Sequence, residues 1–179
     1  LNVVGRSVLG ADFVEKVRGS LAFADDWLLP GMLYGKIVRA QVPSARVVRI
    51  DVSAALEVAG VVAVLTATDV PHNSIAEEAS GLGMTPVAMP VLAGDRIRYG
   101  GEPIAVVAAE TPEAAEAATE MVLVEVEDLP AVLSPEEALD PDATHVHGGG
   151  NTLVEWAIRL GDADRALADA PVVVEGTYR

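Results

Sequence analysis

Between Arg46 and Val52 apolar and charged residues alternate, with Val48, Ile50 and Val52 on one side and Arg49 and Asp51 on the other. That period of two predicts a half-buried strand. The preceding stretch, Met32 to Arg39, is β-compatible and follows a Pro30-Gly31 turn signal, so it predicts another strand. Ser53 stands where an N-cap would open a short helix over 54–58, and Gly60 stops it. Val61 to Thr66 is then a continuous apolar run of strand length. The order is β-α-β. The same grammar returns further on. Ile104 to Ala109 predicts a buried strand, Thr111 a helix cap, and Pro112 the first helical position, with Glu113 near the positive end of the helix dipole. The Ala-rich helix runs to about Glu120, and Met121 to Val126 alternates again, with Val122, Val124 and Val126 on one face. The two units share a pattern and not a sequence, so they are not a repeat.

Ser134-Pro135-Glu136-Glu137 reads as a capping box that opens a short helix through Leu139. Asp162 caps another short helix, which must end before Pro171, and Val172 to Tyr178 predicts a final strand. Two stretches interrupt the pattern. Pro71 to Gly94 holds three prolines and three glycines with no firm period, which predicts a long surface loop. Pro141 to Asn151 carries Gly148-Gly149-Gly150 and divides a main body, 1–150, from a C-terminal arm, 151–179. Strands alternating with short helices place the chain in the α/β or α+β class with a mixed sheet.

Composition narrows the function. The 179 residues are 51% hydrophobic, enough for one compact domain with an appendage. A net charge of -15, from 27 acidic and 12 basic residues, argues against DNA, RNA and anionic membrane as partners. With no cysteine the chain supplies no thiolate for an iron–sulfur cluster, a Cys-type zinc site, a nucleophile or a disulfide. No apolar run approaches the roughly 18–20 residues of a membrane span. The start, Leu1-Asn2-Val3-Val4-Gly5-Arg6, lacks the cationic and apolar regions of a signal peptide, so a cytoplasmic location is expected.

Candidate chemistry is sparse. His145 and His147, with Asp140 and Asp142 nearby, include zinc-ligand types, but not at the i, i+4 spacing of a metalloprotease helix. A solvated loop explains them better. Gly148-Gly149-Gly150 and Gly81-Leu82-Gly83-Met84-Thr85-Pro86 lack the strand, helix and terminal residues of a phosphate-binding loop, so the glycine run reads as a flexible hinge. Glu102, in Gly100-Gly101-Glu102-Pro103, is a lone carboxylate before a buried strand and reads as a turn residue without a titratable partner. Asp25 and Asp26 lack the spaced ligands of a calcium loop, and no serine sits in a nucleophile elbow. Residue by residue, no catalytic, cofactor-binding or metal site is expected.

Several segments in order do resemble a known family. They are Asp12-Phe13-Val14-Glu15-Lys16-Val17-Arg18-Gly19, Leu29-Pro30-Gly31-Met32-Leu33, Val38-Arg39, Ala45-Arg46-Val47, Ile50-Asp51, Gly60-Val61 and Thr68-Asp69-Val70-Pro71. Then follow Asp95-Arg96-Ile97-Arg98-Tyr99, Gly101-Glu102-Pro103-Ile104-Ala105-Val106-Val107, Leu129-Pro130-Ala131-Val132 and Asn151. The set resembles the a/b hammerhead domain at the N-terminal part of the large, molybdenum-binding subunit of the xanthine dehydrogenase/aldehyde oxidase family.

The resemblance implies a molybdenum hydroxylase, which inserts a water-derived oxygen into a C–H bond of a purine, N-heterocycle or aldehyde. It implies molybdopterin in the full-length subunit, with [2Fe–2S] clusters and usually FAD on partner subunits or segments. The implied partners are the remaining molybdopterin-binding domain and those iron–sulfur and FAD parts, with a homo-oligomer open. The family's catalytic glutamate and pterin-binding loops have no counterpart among these residues, so the resemblance carries over no site residue. Arg39-Ala40-Gln41 and Ser44-Ala45-Arg46 depart from the family's usual Arg-Ser-Pro and His-Ala-Arg, and Phe23 from a common Tyr; these bear on substrate subgroup.

Three readings therefore stand side by side. The first is part of a hydroxylase large subunit, structural and inactive by itself. The second is a free-standing, non-catalytic α/β binding or assembly module. The third is a small acid–base enzyme using Glu102 or the His145/His147 loop.

Overall fold

The computed structural model describes residues 4–74, 89–158 and 160–178. Six strands, β1 (Tyr34–Arg39), β2 (Ala45–Asp51), β3 (Val61–Thr66), β4 (Arg96–Ile97), β5 (Pro103–Ala109) and β6 (Leu123–Asp128), make two three-stranded sheets. The helices are α1 (Phe13–Arg18), α2 (Ser53–Leu56), α3 (Pro112–Glu120), α4 (Pro135–Ala138) and α5 (Ala163–Ala168). The mixed α/β class is as expected, but the strands do not share one mixed sheet. One sheet has the order β1-β5-β3, the other β4-β2-β6, and every pairing is antiparallel.

Each predicted β-α-β unit therefore spans two sheets. β2 and β3 flank α2 yet lie in different sheets, and so do β5 and β6 on either side of α3. Both helices act as crossings. α3 packs against β1, β5 and α2, burying Ala115 and Ala118, so small side chains let it lie close to the sheet. Gly60 ends the turn after α2 at φ +87°, a left-handed value that glycine adopts without steric cost.

β5 holds the two halves together. Ile104 joins Ala40, Ala45, Ala93 and Ile97 in one buried cluster, while Ala105 and Val107 join Ala55, Val64 and Ala118 in another. Alternate side chains of one central strand thus feed both cores, as the two-residue period requires. Among the described residues, α2 and α3 give buried side chains to the second cluster and none to the first.

Several local details differ from expectation. Val48 is 54% exposed, and the inward face of β2 is Ala45, Val47 and Ile50. A register shift between Val47 and Arg49 inserts one residue and reverses the alternation there. Ser53 is the first residue of α2 and not its cap; the Ser53 N–H donates to Asp51 Oδ1 at 3.0 Å. The other caps form as expected: Ala114 N donates to Thr111 Oγ1 and Arg165 N to Asp162 Oδ1, each at 3.1 Å. Ser134 Oγ accepts from Glu137 N at 3.1 Å, but the Glu137 carboxylate reaches one residue further back, to Leu133 N at 2.9 Å.

Val172 to Tyr178 does not form the predicted strand. No edge among the described residues pairs with it, and Val172, Val174 and Tyr178 are 77%, 89% and 94% exposed. A β-compatible sequence without a ladder partner leaves its backbone to water. Most of the predicted Pro71 to Gly94 loop, including Gly81 to Pro86, lies outside the described residues.

Candidate functional site

A buried polar group sits at the turn between β4 and β5. This turn is held to the end of β1 by backbone bonds: Ala40 N donates to Glu102 O at 2.9 Å, and Gly101 N to Ala40 O at 2.8 Å. Arg39 Nη1 adds a bond to Gly101 O at 3.0 Å. Those contacts place Glu102 at the first step into β5, with 2% of its surface exposed.

Glu102 does have a titratable partner, contrary to the sequence reading. Its Oε2 accepts from the Arg98 N–H at 2.5 Å, and Arg98 Nη1 lies 3.4 Å from its Oε1. The Arg98 side chain is 17% exposed and its Nη1 also donates to Arg96 O at 3.0 Å. A buried carboxylate is tolerated because the charge is paired and hydrogen-bonded. Its role as a turn residue stands, with the carboxylate closing the turn from inside. The signal lay four positions upstream, at Arg98.

A cleft of about 280 Å³ opens over this pair, lined by Met89, Tyr99, His147, Asn151 and Leu153 as well as Arg98 and Glu102. Burial of the ring, followed by the Arg98 guanidinium, holds His147 below the ordinary histidine value; Glu102 pulls the other way and Arg96 adds to the depression. The fold therefore brings Glu102 and His147 together although 45 positions separate them.

The remaining candidates lie apart from that pair. His145 is exposed, and its carbonyl accepts from Arg96 Nη2 at 3.1 Å. Asp140 Oδ1 accepts from Asp142 N at 2.9 Å, an ordinary loop turn. Gly148-Gly149-Gly150 lies in a turn in which Gly150 N donates to His147 O at 3.0 Å. Asn151, quoted in the sequence only as a motif residue, organises this loop. Its Oδ1 accepts from Val146 N at 2.8 Å, and its Nδ2 donates to Ala138 O and Thr144 O, each at 3.1 Å. Asp26 Oδ2 accepts from Phe23 N at 2.8 Å, which accounts for it as a local cap. Among the described residues no group of three or more His, Cys, Asp or Glu side chains is placed to hold a metal ion. Nor is any described helix long and apolar enough to cross a membrane.

Two small antiparallel sheets exchanging strands through short helices, with a buried Glu–Arg turn between them, define a hammerhead-type α/β domain. Residues 18–130 match the family model described as aldehyde oxidase and xanthine dehydrogenase, a/b hammerhead domain. The chain belongs to that family.

The nicotinate dehydrogenase large molybdopterin subunit of Eubacterium barkeri is 36% identical over 176 residues, covering 98% of this chain and 40% of that protein. A probable xanthine dehydrogenase subunit of Bacillus subtilis is 41% identical over 163 residues, 91% of this chain and 21% of that protein. Among solved structures, aldehyde oxidoreductase from Desulfovibrio gigas superposes with a TM-score of 0.82 at 33% identity, covering 93% of this chain and 19% of that one. The chain thus spans less than half the length of each of these relatives, and it resembles the hammerhead region of their molybdenum-hydroxylase large subunits.

Proposed function

We propose that this chain serves as the hammerhead part of a molybdenum-dependent hydroxylase large subunit, with a structural and assembly role and no catalysis of its own. One observation carries the reading. No described residue from Val4 to Leu33, or from Thr152 to Tyr178, is buried, yet these two stretches are rich in large apolar side chains. Both tryptophans are among them, Trp27 at 63% and Trp156 at 73% exposure, beside Ile158 at 97% and Leu160 at 95%. So many large apolar side chains left in water are what a face covered by another polypeptide would show. We take 1–150 as the hammerhead domain with its leading segment and 151–179 as an arm into the molybdopterin-binding part.

We place molybdopterin and the iron–sulfur clusters outside this chain. Glu102, the buried carboxylate among the described residues, is already neutralised by Arg98, and Asn151 is spent on its own loop. The chain has no cysteine for a [2Fe–2S] cluster. In this reading molybdopterin belongs to the rest of the large subunit, and the clusters and FAD to partner subunits or segments. The Bacillus subtilis relative is named as one subunit of a xanthine dehydrogenase, which supports a multi-subunit enzyme. The cytoplasm is the proposed location, and a C–H bond of a purine, N-heterocycle or aldehyde the proposed target.

The test compares the chain alone with the chain joined to the rest of a large subunit. Alone, it should carry no stoichiometric molybdenum, and Trp27 and Trp156 should emit as water-exposed indoles. Joined, the emission should shift to the blue. Stoichiometric molybdenum on the chain alone, or unchanged emission in the joined protein, would overturn the proposal.

A further inference from the structure

The loop from His145 to Asn151 meets the body at a cluster of charges and, through Asn151, at Ala138. Arg96 Nη2 donates to the His145 carbonyl at 3.1 Å, and His147 lines the cleft over Arg98 and Glu102. Asn151 ties the loop to itself and to Ala138, and the Gly150 turn closes it, so 145–151 is bound together by its own hydrogen bonds. Apart from the Asn151 bond to Ala138, what holds this loop on the body lies in the cluster.

The charges facing His147 are unevenly matched. Glu102 is committed to Arg98, and among the described residues the other carboxylate near Arg98 is Asp95, 3.8 Å away and 89% exposed, where water screens it. Among the described residues Arg96 has no carboxylate partner, and its Nε is buried without a hydrogen-bond partner. Tyr99 completes the titratable groups lining the cleft. A neutral imidazole fits beside two guanidiniums and one buried carboxylate. An imidazolium adds a third cation to the same half-buried corner.

We propose that residues 145–151 form a proton-operated latch: with His147 neutral the loop stays seated on the Arg96, Arg98 and Glu102 cluster and fixes where the arm leaves the body, and with His147 protonated it lifts. The sign follows from linkage. The seated form favours the neutral ring, so its contribution is present above the ordinary histidine value of 6.5 and is lost as pH falls through the lower value of the seated ring. This inference concerns the cleft alone and stands apart from the hydroxylase assignment.

Hydrogen exchange across 143–153 in the whole chain, corrected for intrinsic rates, tests it at about pH 8 and about pH 5. The wild type should lose protection at the lower pH, up to about tenfold for each unit by which the ring is depressed. His147→Gln should stay protected at both, and Arg96→Met, which removes the bond to His145 O, should be loose at both. Ring titration of the unsubstituted chain by NMR gives a second reading that needs no variant: His147 should titrate below an ordinary histidine. Equal wild-type protection at both pH values, the same acid loss in His147→Gln, or an ordinary titration of His147 would each overturn the latch.

Discussion

Asn73 and Leu92, 19 positions apart, exchange two hydrogen bonds: Asn73 Nδ2 donates to Leu92 O at 2.7 Å, and Leu92 N donates to Asn73 Oδ1 at 2.9 Å. One side-chain amide thus stands in for a backbone partner and satisfies both main-chain groups of a residue that is 3% exposed. It delivers Leu92 and Ala93 to the core, where Ala93 N continues to Pro103 O at 2.7 Å.

Removing that amide leaves both Leu92 groups unpaired. Asn73→Ala should destabilise the chain by about 1–3 kcal/mol in urea unfolding. Asn73→Asp keeps the acceptor but sets a carboxylate oxygen against the Leu92 carbonyl, so it should lose stability as well. Equal stability of wild type and Asn73→Ala would show that Leu92 finds other partners.

Gly94 allows a close approach. A Cβ there would stand 2.8 Å from the Ala67 Cβ, inside any contact that real Cβ atoms make. Gly94→Ala should cost about 1–3 kcal/mol, and adding Ala67→Gly should recover part of the loss. Simple additivity of the two changes would place the strain elsewhere.

The contrast between core and arm is measurable in one pair of variants. Ile104, 2% exposed in the core beneath β5, should lose about 2–5 kcal/mol on change to Ala. Ile158 is 97% exposed, and its change to Ala should stay within about 0.5 kcal/mol in the chain alone. A large effect at Ile158 would mean that the arm belongs to the folded core.

Asp51 carries the clearest acid signature. Bonds from the Ser53 N–H and then its hydroxyl, with Arg49 alongside, lower its carboxyl from 3.8 to about 2. A depressed carboxylate stabilises the fold above its unfolded value and loses that contribution as pH falls through the folded one. The gap in urea midpoint between wild type and Asp51→Asn should therefore close as pH drops from about 4 to about 2. A gap that is constant over this range would refute the assignment.

The features legible in the sequence are those that short-range chemistry controls. The caps at Thr111, Ser134 and Asp162 and the strand spans at Val61 to Thr66 and Ile104 to Ala109 depend on residues within a few positions. The family was legible too, because its motifs are spelled out in order. Tertiary structure decided the rest. Which sheet each strand joins depends on partners far along the chain, so β2 and β3 are split although their local pattern reads as one unit. The inserted residue at Val48 became visible only through its pairing with β6. Val172 to Tyr178 has the right residues for a strand but pairs with none of the described sheet edges. Glu102 and His147 could each be singled out in the sequence, but their meeting could not. A buried charge finds its partner through the folded path of the chain, and spacing along the sequence carries no record of that path.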